Sequence, residues 1–317
     1  MTLKKVVFMG TPDFAVGTLE ALIASEYEVT AVFTQPDKPR GRHGAPQMSP
    51  VAAAAEKAGI PVYKPRRIRE QETVDILRGL APDVIVVVAF GQIIPEEILR
   101  IPPFGCINVH ASLLPAWRGA APIQWAVISG DRESGVTTMR MDAGLDTGDI
   151  ILQEKTPIAP DETGGSLFDR LSGMGADLLV RTLRVIEAGE AVYTPQPAQS
   201  TTPYAKMLEK ESGRIDWTAD AEAIERLVRG LSPWPSAWTR LDGKLLKIWR
   251  AKALPGSGKT ARPGTLRTER GRMFAAAGSG ELEILELQME GKKRMTADAF
   301  LLGYDPGSGA CLGEEPK

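Results

Sequence analysis

The chain has 317 residues, of which 43 % are hydrophobic and 25 % charged, and its formal net charge at pH 7 is −2. A chain of this length usually forms two domains, and this hydrophobic content is enough for ordinary cores. Two cysteines without a paired motif, Cys106 and Cys311, exclude a disulfide framework and a cysteine-based zinc site, and they favour free thiols in a reducing compartment.

The N-terminal segment MTLKKVVFMGTP passes directly from two lysines into a short strand and a turn. Because no long apolar run is present there, neither a signal peptide nor a membrane span is expected. We therefore predict a cytoplasmic protein that has no membrane partner.

Short runs rich in β-branched residues alternate with helix-length segments through the first half of the chain. After the first run, Thr11, Pro12 and Asp13 form a good helix start, with Pro12 suited to the first helical position. The predicted strands are 6–10, 28–34, 83–90, 107–110 and 135–141. Strands separated by helices indicate a doubly wound α/β domain, which a long helix over 165–189 completes.

The second half has a different character. A proline-rich segment runs from Thr194 to Pro203, and short alternating strands broken by glycine, proline and aspartate follow it, among them IDW, PWPSAWTRL, GKLLKIWRAKAL, GTLRTE and GRMFAAAGSGELEILELQ. Such strands are typical of a small β-barrel. We predict an α/β domain over 1–189, a linker over 190–205 and a barrel domain over 206–317.

Charge is distributed unevenly between these halves. Residues 1–205 carry 19 Lys and Arg against 24 Asp and Glu, a formal charge of −5, whereas residues 206–317 carry 19 against 16, a charge of +3. A basic module joined to an acidic one is a weak indication that the second half binds a polyanion.

The predicted strand 107–110, INVH, contains one of only two histidines in the chain. Alternate side chains of a strand share a face, so Asn108 and His110 point the same way, opposite Ile107 and Val109. A strand-end histidine can simply bond a neighbouring loop. However, sheets of this class bind ligands beyond the carboxyl ends of their strands, which favours a functional site at Asn108 and His110.

Three tempting motifs fail on inspection. VVFMGTPDFAVG lacks the G-x-G-x-x-G pattern, so a dinucleotide cofactor is not expected, and GSGKT (256–260) lies between barrel strands, where a surface loop is the better interpretation. The aspartates of MDAGLDTGDI (141–150) invite a calcium loop, but Gly144 occupies the third ligand position and Gln153 the twelfth. We predict that no metal is required.

Taken in order, MGTPDFA, VFTQPDKPRGR, VVVAFGQIIP, INVHASLLPAWRGAAPIQWA and MDAGLDTGDI resemble the methionyl-tRNA formyltransferase family. The wider group, whose members use 10-formyltetrahydrofolate, shares the N-x-H, SLLP and D-x-G-D motifs. The resemblance implies a Rossmann-like formyltransferase domain followed by an OB-like barrel that helps to hold the tRNA. It further implies a formyl-donor substrate, 10-formyltetrahydrofolate, and a charged initiator tRNA as partner; we expect a monomer.

The resemblance also implies roles for individual positions. Asn108, His110 and Asp146 match the catalytic trio, and the folate-contacting loop corresponds to Ser112, Leu113, Leu114 and Pro115. Ala116 stands where many members carry a basic residue, so this position is not expected to supply an electrostatic contact near the site. The expected tRNA contacts are Arg42 in the loop 35–47, which also contains His43, and the basic residues Lys206, Lys210, Lys244, Lys247, Lys292, Lys293 and Arg294.

Formyl transfer to an amine explains why the trio consists of these residue types. Negative charge grows on the formyl oxygen when the amine attacks, and both the Asn108 amide and a protonated His110 can donate to that oxygen. Asp146 can orient the imidazole or relay a proton through water. No serine or cysteine nucleophile is needed, since the amine is itself the nucleophile.

Two alternatives remain open at this point. An enzyme that transfers the formyl group to a small amine or to water would share the same trio, although the barrel and the loop 35–47 argue against it. A non-catalytic tRNA- or folate-binding protein is the other alternative, and an intact trio argues against that, because binding alone does not require all three residues.

Overall fold

The computed structural model describes residues 2–39, 46–256, 261–307 and 309–313. Two compact units make up this structure. The first unit contains Met1–Pro122, Glu133–Pro157 and Phe168–Ala205, and the second contains Ile123–Arg132, Ile158–Leu167 and Lys206–Lys317. The boundaries 1–189, 190–205 and 206–317 remain a prediction, and the compact units do not follow them in detail, since the proline-rich segment groups with the first unit.

The first unit is built on a seven-stranded sheet. Its strands are β1 (Lys5–Gly10), β2 (Glu28–Phe33), β5 (Val62–Tyr63), β6 (Val84–Val88), β7 (Cys106–His110), β8 (Glu133–Arg140) and β9 (Asp149–Pro157). A separate two-stranded ribbon pairs β3 (Lys38–Pro39) with β4 (Pro46–Gln47). Strand β6 is buried along its whole length, as expected for a central parallel strand.

Six helices occur within the described residues up to Ala205. They are α1 (Asp13–Ile23), α2 (Pro50–Lys57), α3 (Gln71–Leu80), α4 (Glu96–Leu99), α5 (Pro122–Ser129) and α6 (Gly164–Glu187). The predicted start of α1 shifts by one position, because Pro12 is the N-cap and Asp13 the first helical residue. The backbone of Pro12 is extended, with a ψ of 175°, which is the conformation that an N-cap residue adopts.

The strand order β5-β2-β1-β6-β7-β8-β9 explains where a site can form. Strands β5, β2, β1, β6 and β7 are parallel, and the chain reverses its direction of travel across the sheet between β1 and β6. Ligand sites in such sheets lie beyond the carboxyl ends of the strands near this switch. Strand β7, two strands along from β1, ends at His110.

All five strands predicted in this half are confirmed, each within two residues of the expected bounds. The direction of the fifth was not predicted: β8 runs antiparallel to β7, pairing His110 with Thr137 and Ile107 with Arg140. Strand β9, antiparallel to β8, had no prediction at all.

The second unit contains a six-stranded antiparallel sheet. Its strands are β10 (Ala237–Leu241), β11 (Lys244–Leu254), β12 (Leu266–Glu269), β13 (Arg272–Ala276), β14 (Glu281–Met289) and β15 (Met295–Thr296). Ile224 and Val228 of helix α7 (Ala221–Gly230) pack into the core of this sheet, as does Phe300 of helix α8 (Ala297–Gly303).

The predicted fold class, an α/β domain followed by a small β-rich domain of the OB-like kind, is confirmed. The prediction of a strand at IDW was wrong. Ile215 and Trp217 are buried in a segment without regular secondary structure, and the neighbouring Arg214 forms a single β-bridge with Trp238. Residues 257–260 of the GSGKT motif lie outside the described residues. Among the described helices, none has the combined length and apolar character needed to cross a membrane.

Candidate active site

Strand β7 buries two polar side chains next to each other on one face. Asn108 and His110 are only 8 % and 7 % exposed, although the strand is otherwise apolar. Ile107 and Val109, on the opposite face, are buried in the manner of core residues. The alternation that the sequence predicted therefore sets an amide and an imidazole side by side near the carboxyl end of the strand.

Asp146 reaches this pair from the loop between β8 and β9. The loop begins beside the opposite end of β7, where the Met141 amide donates to the Cys106 carbonyl at 2.8 Å. It then returns along the strand, and Asp146 Oδ1 lies 3.7 Å from His110 Nδ1. The structure thus brings together all three residues of the predicted trio.

Both nitrogens of His110 face acceptors. Nε2 lies 3.0 Å from the carbonyl oxygen of Trp117, which can only accept, so Nε2 carries a hydrogen. Nδ1 faces the Asp146 carboxylate, which is also an acceptor. The second carboxylate oxygen of Asp146 accepts from the Gly119 amide at 2.9 Å.

Asn108 has no such partners. Among the described residues, no side chain or backbone group forms a hydrogen bond with its amide, although the residue is buried. The amide nitrogen and oxygen are not among the fully buried side-chain atoms that lack a partner, so the amide remains accessible to solvent. It is also the only asparagine in the sequence. This amide is therefore free to donate to a bound ligand.

The predicted folate loop follows β7 directly, but its members differ in availability. The Ser112 hydroxyl donates to the Ala116 carbonyl at 2.6 Å, and Leu114 is buried with its backbone amide bonded to Thr137. Leu113 and Pro115 are half-buried and leave apolar surface that a ligand can contact. A role for these four residues in folate binding remains a proposal.

Sequence reasoning missed two residues, Arg118 and Gln196, whose side chains bond to segments next to the trio. Arg118 is buried, and its guanidinium donates to the Gln196 side chain and to two backbone carbonyls, those of Pro197 and Ala198. Gln196 in turn donates to the loop of Asp146. Only Arg118 carried a signal, as a charged residue inside the AWRG motif; Gln196 lay in a segment interpreted as a linker.

Two other chemistries find no support at this site. Cys106 begins strand β7, but its thiol is buried, and burial raises the pKa of Cys106 to about 12, so it remains protonated. Within the described parts of the chain, no three His, Cys, Asp or Glu side chains cluster as ligands for an ion. That no metal is required remains a prediction.

The described basic residues proposed to bind tRNA fall into two groups, exposed lysines and residues that lie over the ring of Trp249. Lys206, Lys210, Lys292 and Lys293 are exposed, as is Lys244. Arg294 is bonded to Glu286 at 2.7 Å, and it lies over the ring of Trp249, as Lys247 does. Arg42 and His43 lie outside the described residues, so the expectation for Arg42 remains a prediction.

Comparison with known proteins decides which family the chain belongs to. Residues 4–183 match the formyl transferase domain, and residues 207–305 match the formyl transferase C-terminal domain. A methionyl-tRNA formyltransferase from Agathobacter rectalis is 54 % identical over 300 residues, which cover 94 % of this chain and 96 % of the relative. This chain belongs to the methionyl-tRNA formyltransferase family. The resemblance seen in the sequence motifs is thereby confirmed.

Further members and solved structures agree with this assignment. The methionyl-tRNA formyltransferase of Geotalea daltonii is 53 % identical over 312 residues, covering 98 % of this chain and 99 % of the relative. A sugar 3N-formyl transferase crystallised with dTDP and 5-N-formyl-THF has a TM-score of 0.66 at 18 % identity, covering 92 % of this chain and 100 % of its own. HypX from Aquifex aeolicus, solved with tetrahydrofolic acid, has a TM-score of 0.60 at 17 % identity, covering 95 % and 47 %. At such identities the two structures support the fold alone.

Proposed function

We propose that this protein transfers the formyl group of 10-formyltetrahydrofolate to the amino group of methionyl initiator tRNA, and so supports translation initiation in the cytoplasm. The observation that carries the proposal is the accessible, unbonded amide of Asn108 beside the His110–Asp146 pair. Family membership over nearly the whole chain supports the choice of substrates.

The reaction is an acyl transfer without a covalent enzyme intermediate. The amine nitrogen attacks the formyl carbon, and the carbonyl electron pair moves to oxygen to give a tetrahedral intermediate. The bond from carbon to folate N10 then breaks as the carbonyl re-forms. One proton passes from the amine to N10, so that the products are the formylated amine and tetrahydrofolate.

Asn108 is the donor best suited to the developing oxyanion. It lies near the carboxyl end of strand β7, and its accessible amide has no hydrogen bond in the described structure, so no bond to the protein must break when it donates to the oxyanion. Donors of this kind contribute about two to three powers of ten in rate. His110 has its Nε2 hydrogen on the Trp117 carbonyl, so direct donation from His110 to the substrate requires that this bond be exchanged.

Asp146 and His110 together manage the proton. The carboxylate orients the ring and, through a water molecule, can accept the proton that leaves the amine. The separation of 3.7 Å is longer than a hydrogen bond. Catalytic hydrogen bonds are often long without substrate and shorten when it binds, and we propose that this pair behaves so.

The two substrates would be bound by different parts of the chain. Leu113 and Pro115, with the backbone around Ser112 and Leu114, would contact the folate beyond the end of β7. The exposed lysines of the second unit would contact tRNA phosphates. We propose further that the protein acts as a monomer.

A single assay with three acceptors tests the function. The purified protein is incubated with 10-formyltetrahydrofolate and methionyl initiator tRNA, an elongator methionyl-tRNA or a small amine, and formyl incorporation is followed. We expect rapid formylation of the initiator tRNA only. Preferred formylation of the small amine, or donor hydrolysis without transfer to tRNA, would contradict the proposal.

A further inference from the structure

One tripeptide contacts both members of the His110–Asp146 pair. The Trp117 carbonyl accepts from His110 Nε2 at 3.0 Å, and the Gly119 amide donates to Asp146 Oδ2 at 2.9 Å. The first and last residues of this tripeptide, Trp117 and Gly119, have positive φ angles of 57° and 129°. A side chain at Gly119 is not tolerated, because a Cβ atom there would lie 2.5 Å from the Ala205 carbonyl oxygen.

Between these two residues lies Arg118, whose side chain points into the protein. Its guanidinium donates to the Gln196 side-chain oxygen at 2.9 and 3.2 Å, and to the carbonyls of Pro197 at 2.8 Å and Ala198 at 3.2 Å. All of these acceptors are neutral. A buried guanidinium is costly to desolvate, and these several bonds offset the cost while fixing residues 196–198 against the tripeptide.

Gln196 transmits this fixation to the loop of Asp146. Its amide nitrogen donates to the backbone carbonyls of Asp146 at 3.0 Å and Gly148 at 2.7 Å. The Arg118 bonds to its oxygen determine which way the amide is turned. Gln196 therefore presents its two hydrogens to the loop and its oxygen to Arg118.

The loop itself has few other anchors. Residues 142–145 are exposed, and the Asp142 side chain bonds only within the loop, to the Gly144 amide and the Thr147 hydroxyl. Between described residues 142–148 and the rest of the described chain, the hydrogen bonds are those to Gly119 and Gln196. Asp146 also has a left-handed backbone, with φ of 56°, a conformation that surrounding bonds must maintain.

We propose that Arg118 and Gln196 are positioning residues that act through Asp146. Together they hold the Asp146 carboxylate against His110, and neither touches the reacting atoms. The inference rests on the proposed function, because Asp146 matters to the rate only if the pair takes part in formyl transfer. Displacement of a catalytic group by about 1 Å can lower a rate by up to about a hundredfold.

Gln196→Ala removes the bonds to the loop, and Gln196→Glu tests their direction. The glutamate still accepts from Arg118 but turns an oxygen toward the two carbonyls, so we expect it to lower kcat at least as much as alanine does. For Gln196→Ala we expect kcat to fall about tenfold while KM for both substrates changes less than twofold. Arg118→Met should have a similar effect, and the Gln196 variants stand in for it if it does not fold.

A double-mutant cycle with Asp146→Ala separates positioning from a structural role. If Gln196 acts through Asp146, Gln196→Ala should change the single-turnover rate less than twofold in the Asp146→Ala background. Equal losses in both backgrounds, or unchanged kcat in Gln196→Ala, would overturn the inference. Arg170→Ala is the matched control, because Arg170 also bonds a backbone carbonyl, that of Pro157, away from the trio; we expect its kcat to be unchanged.

The wild-type protein in the same assay distinguishes this inference from the proposed function. If wild type does not formylate methionyl-tRNA, the proposed function is wrong. If wild type is active and the Gln196 variants match it, the function stands and the positioning role is wrong.

Discussion

His110 Nδ1 lies 3.7 Å from Asp146 Oδ1, although the two residues arrive from opposite ends of the same strand. His110 ends β7, whereas the loop of Asp146 starts next to Cys106, at the beginning of β7. The pair exists because β8 runs antiparallel to β7 and delivers the loop to that end, from which it returns along the strand. The site therefore depends on the one part of the sheet that is not parallel.

Replacing Asp146 with asparagine removes the charge while keeping the shape. The side-chain oxygen can still accept from the Gly119 amide, so the loop should keep its position. The site loses the carboxylate that faces His110 and that we propose accepts the proton of the amine through water, so we expect kcat to fall by about tenfold or more. The measurement is kcat from pH 5.5 to 9, at saturating substrates. Full activity across this range would show that the Asp146 carboxylate takes no part in the reaction.

Asn108→Ala should separate activity from stability. The amide has no hydrogen bond within the described structure, so the free energy of unfolding should stay within about 1 kcal/mol of wild type. In contrast, kcat/KM should fall by about two powers of ten, because a donor to the oxyanion is lost. Thermal unfolding and initial formylation rates provide the two measurements.

Thr182→Val is a useful control for this experiment. Thr182 is buried in α6 and bonded to the Thr138 hydroxyl at 2.8 Å, so its replacement should lower stability by about 1 kcal/mol without changing the rate. An Asn108→Ala protein with near-normal turnover would remove the oxyanion assignment.

The three residues that the structure brings together could be picked out from the sequence because they lie in short, local patterns, and their catalytic role remains a proposal. Asn108 and His110 share a strand face by simple alternation, and Asp146 was matched by its glycine-flanked motif. Gln196 could not be predicted, because its role depends on a contact with residues 48 and 50 positions away. The antiparallel direction of β8 could not be predicted either, since hydrophobic periodicity indicates a strand but not its direction.

In the second unit as well, the hydrophobic pattern of the sequence predicted only part of the secondary structure. Alternating apolar residues predicted β10 to β14, but helices α7 and α8 had no prediction, although Ile224 and Val228 of α7 recur at helical spacing. Ile215 and Trp217 are buried apolar residues two apart, which is the pattern of a strand. Only a single β-bridge, from Arg214 to Trp238, forms next to them, so two alternate residues can be buried without belonging to a β-strand.

Stability of the second unit should depend on pH through Glu283. This residue is 6 % exposed, and both of its oxygens accept from Arg272 at 2.7 Å, which lowers the pKa of Glu283 below its ordinary value of 4.5. A lowered pKa contributes stability above the unfolded-state value, and that contribution is lost as pH falls through the folded-state value. We therefore expect wild type to be more stable than Glu283→Gln at pH 7, by about 1 kcal/mol after allowance for the exposed Arg272.

That difference should shrink as the pH falls below about 4.5. Unfolding midpoints of both proteins between pH 7 and pH 3.5 measure it. Glu269→Gln is the control, because Glu269 is 58 % exposed in its pair with Arg267 and should make little difference at any pH. A gap between wild type and Glu283→Gln that stays constant, or widens in acid, would contradict the expected linkage.

Lys292 and Lys293 should contribute affinity for tRNA and not chemistry. Both are exposed, and each phosphate contact releases counterions, so neutralising the two should lower the salt slope of binding by about two units. Arg294 differs, because it is paired with Glu286, which also bonds Arg250, and lies over the Trp249 ring, so Arg294→Ala should change the slope less than either lysine. The double variant Lys292→Ala/Lys293→Ala should raise KM for tRNA while kcat stays within twofold.

Lys57→Ala, which replaces an exposed lysine on α2, controls for net charge and should leave the slope unchanged. A large fall in kcat for the lysine variant would instead mean that these residues help to arrange the reacting amine.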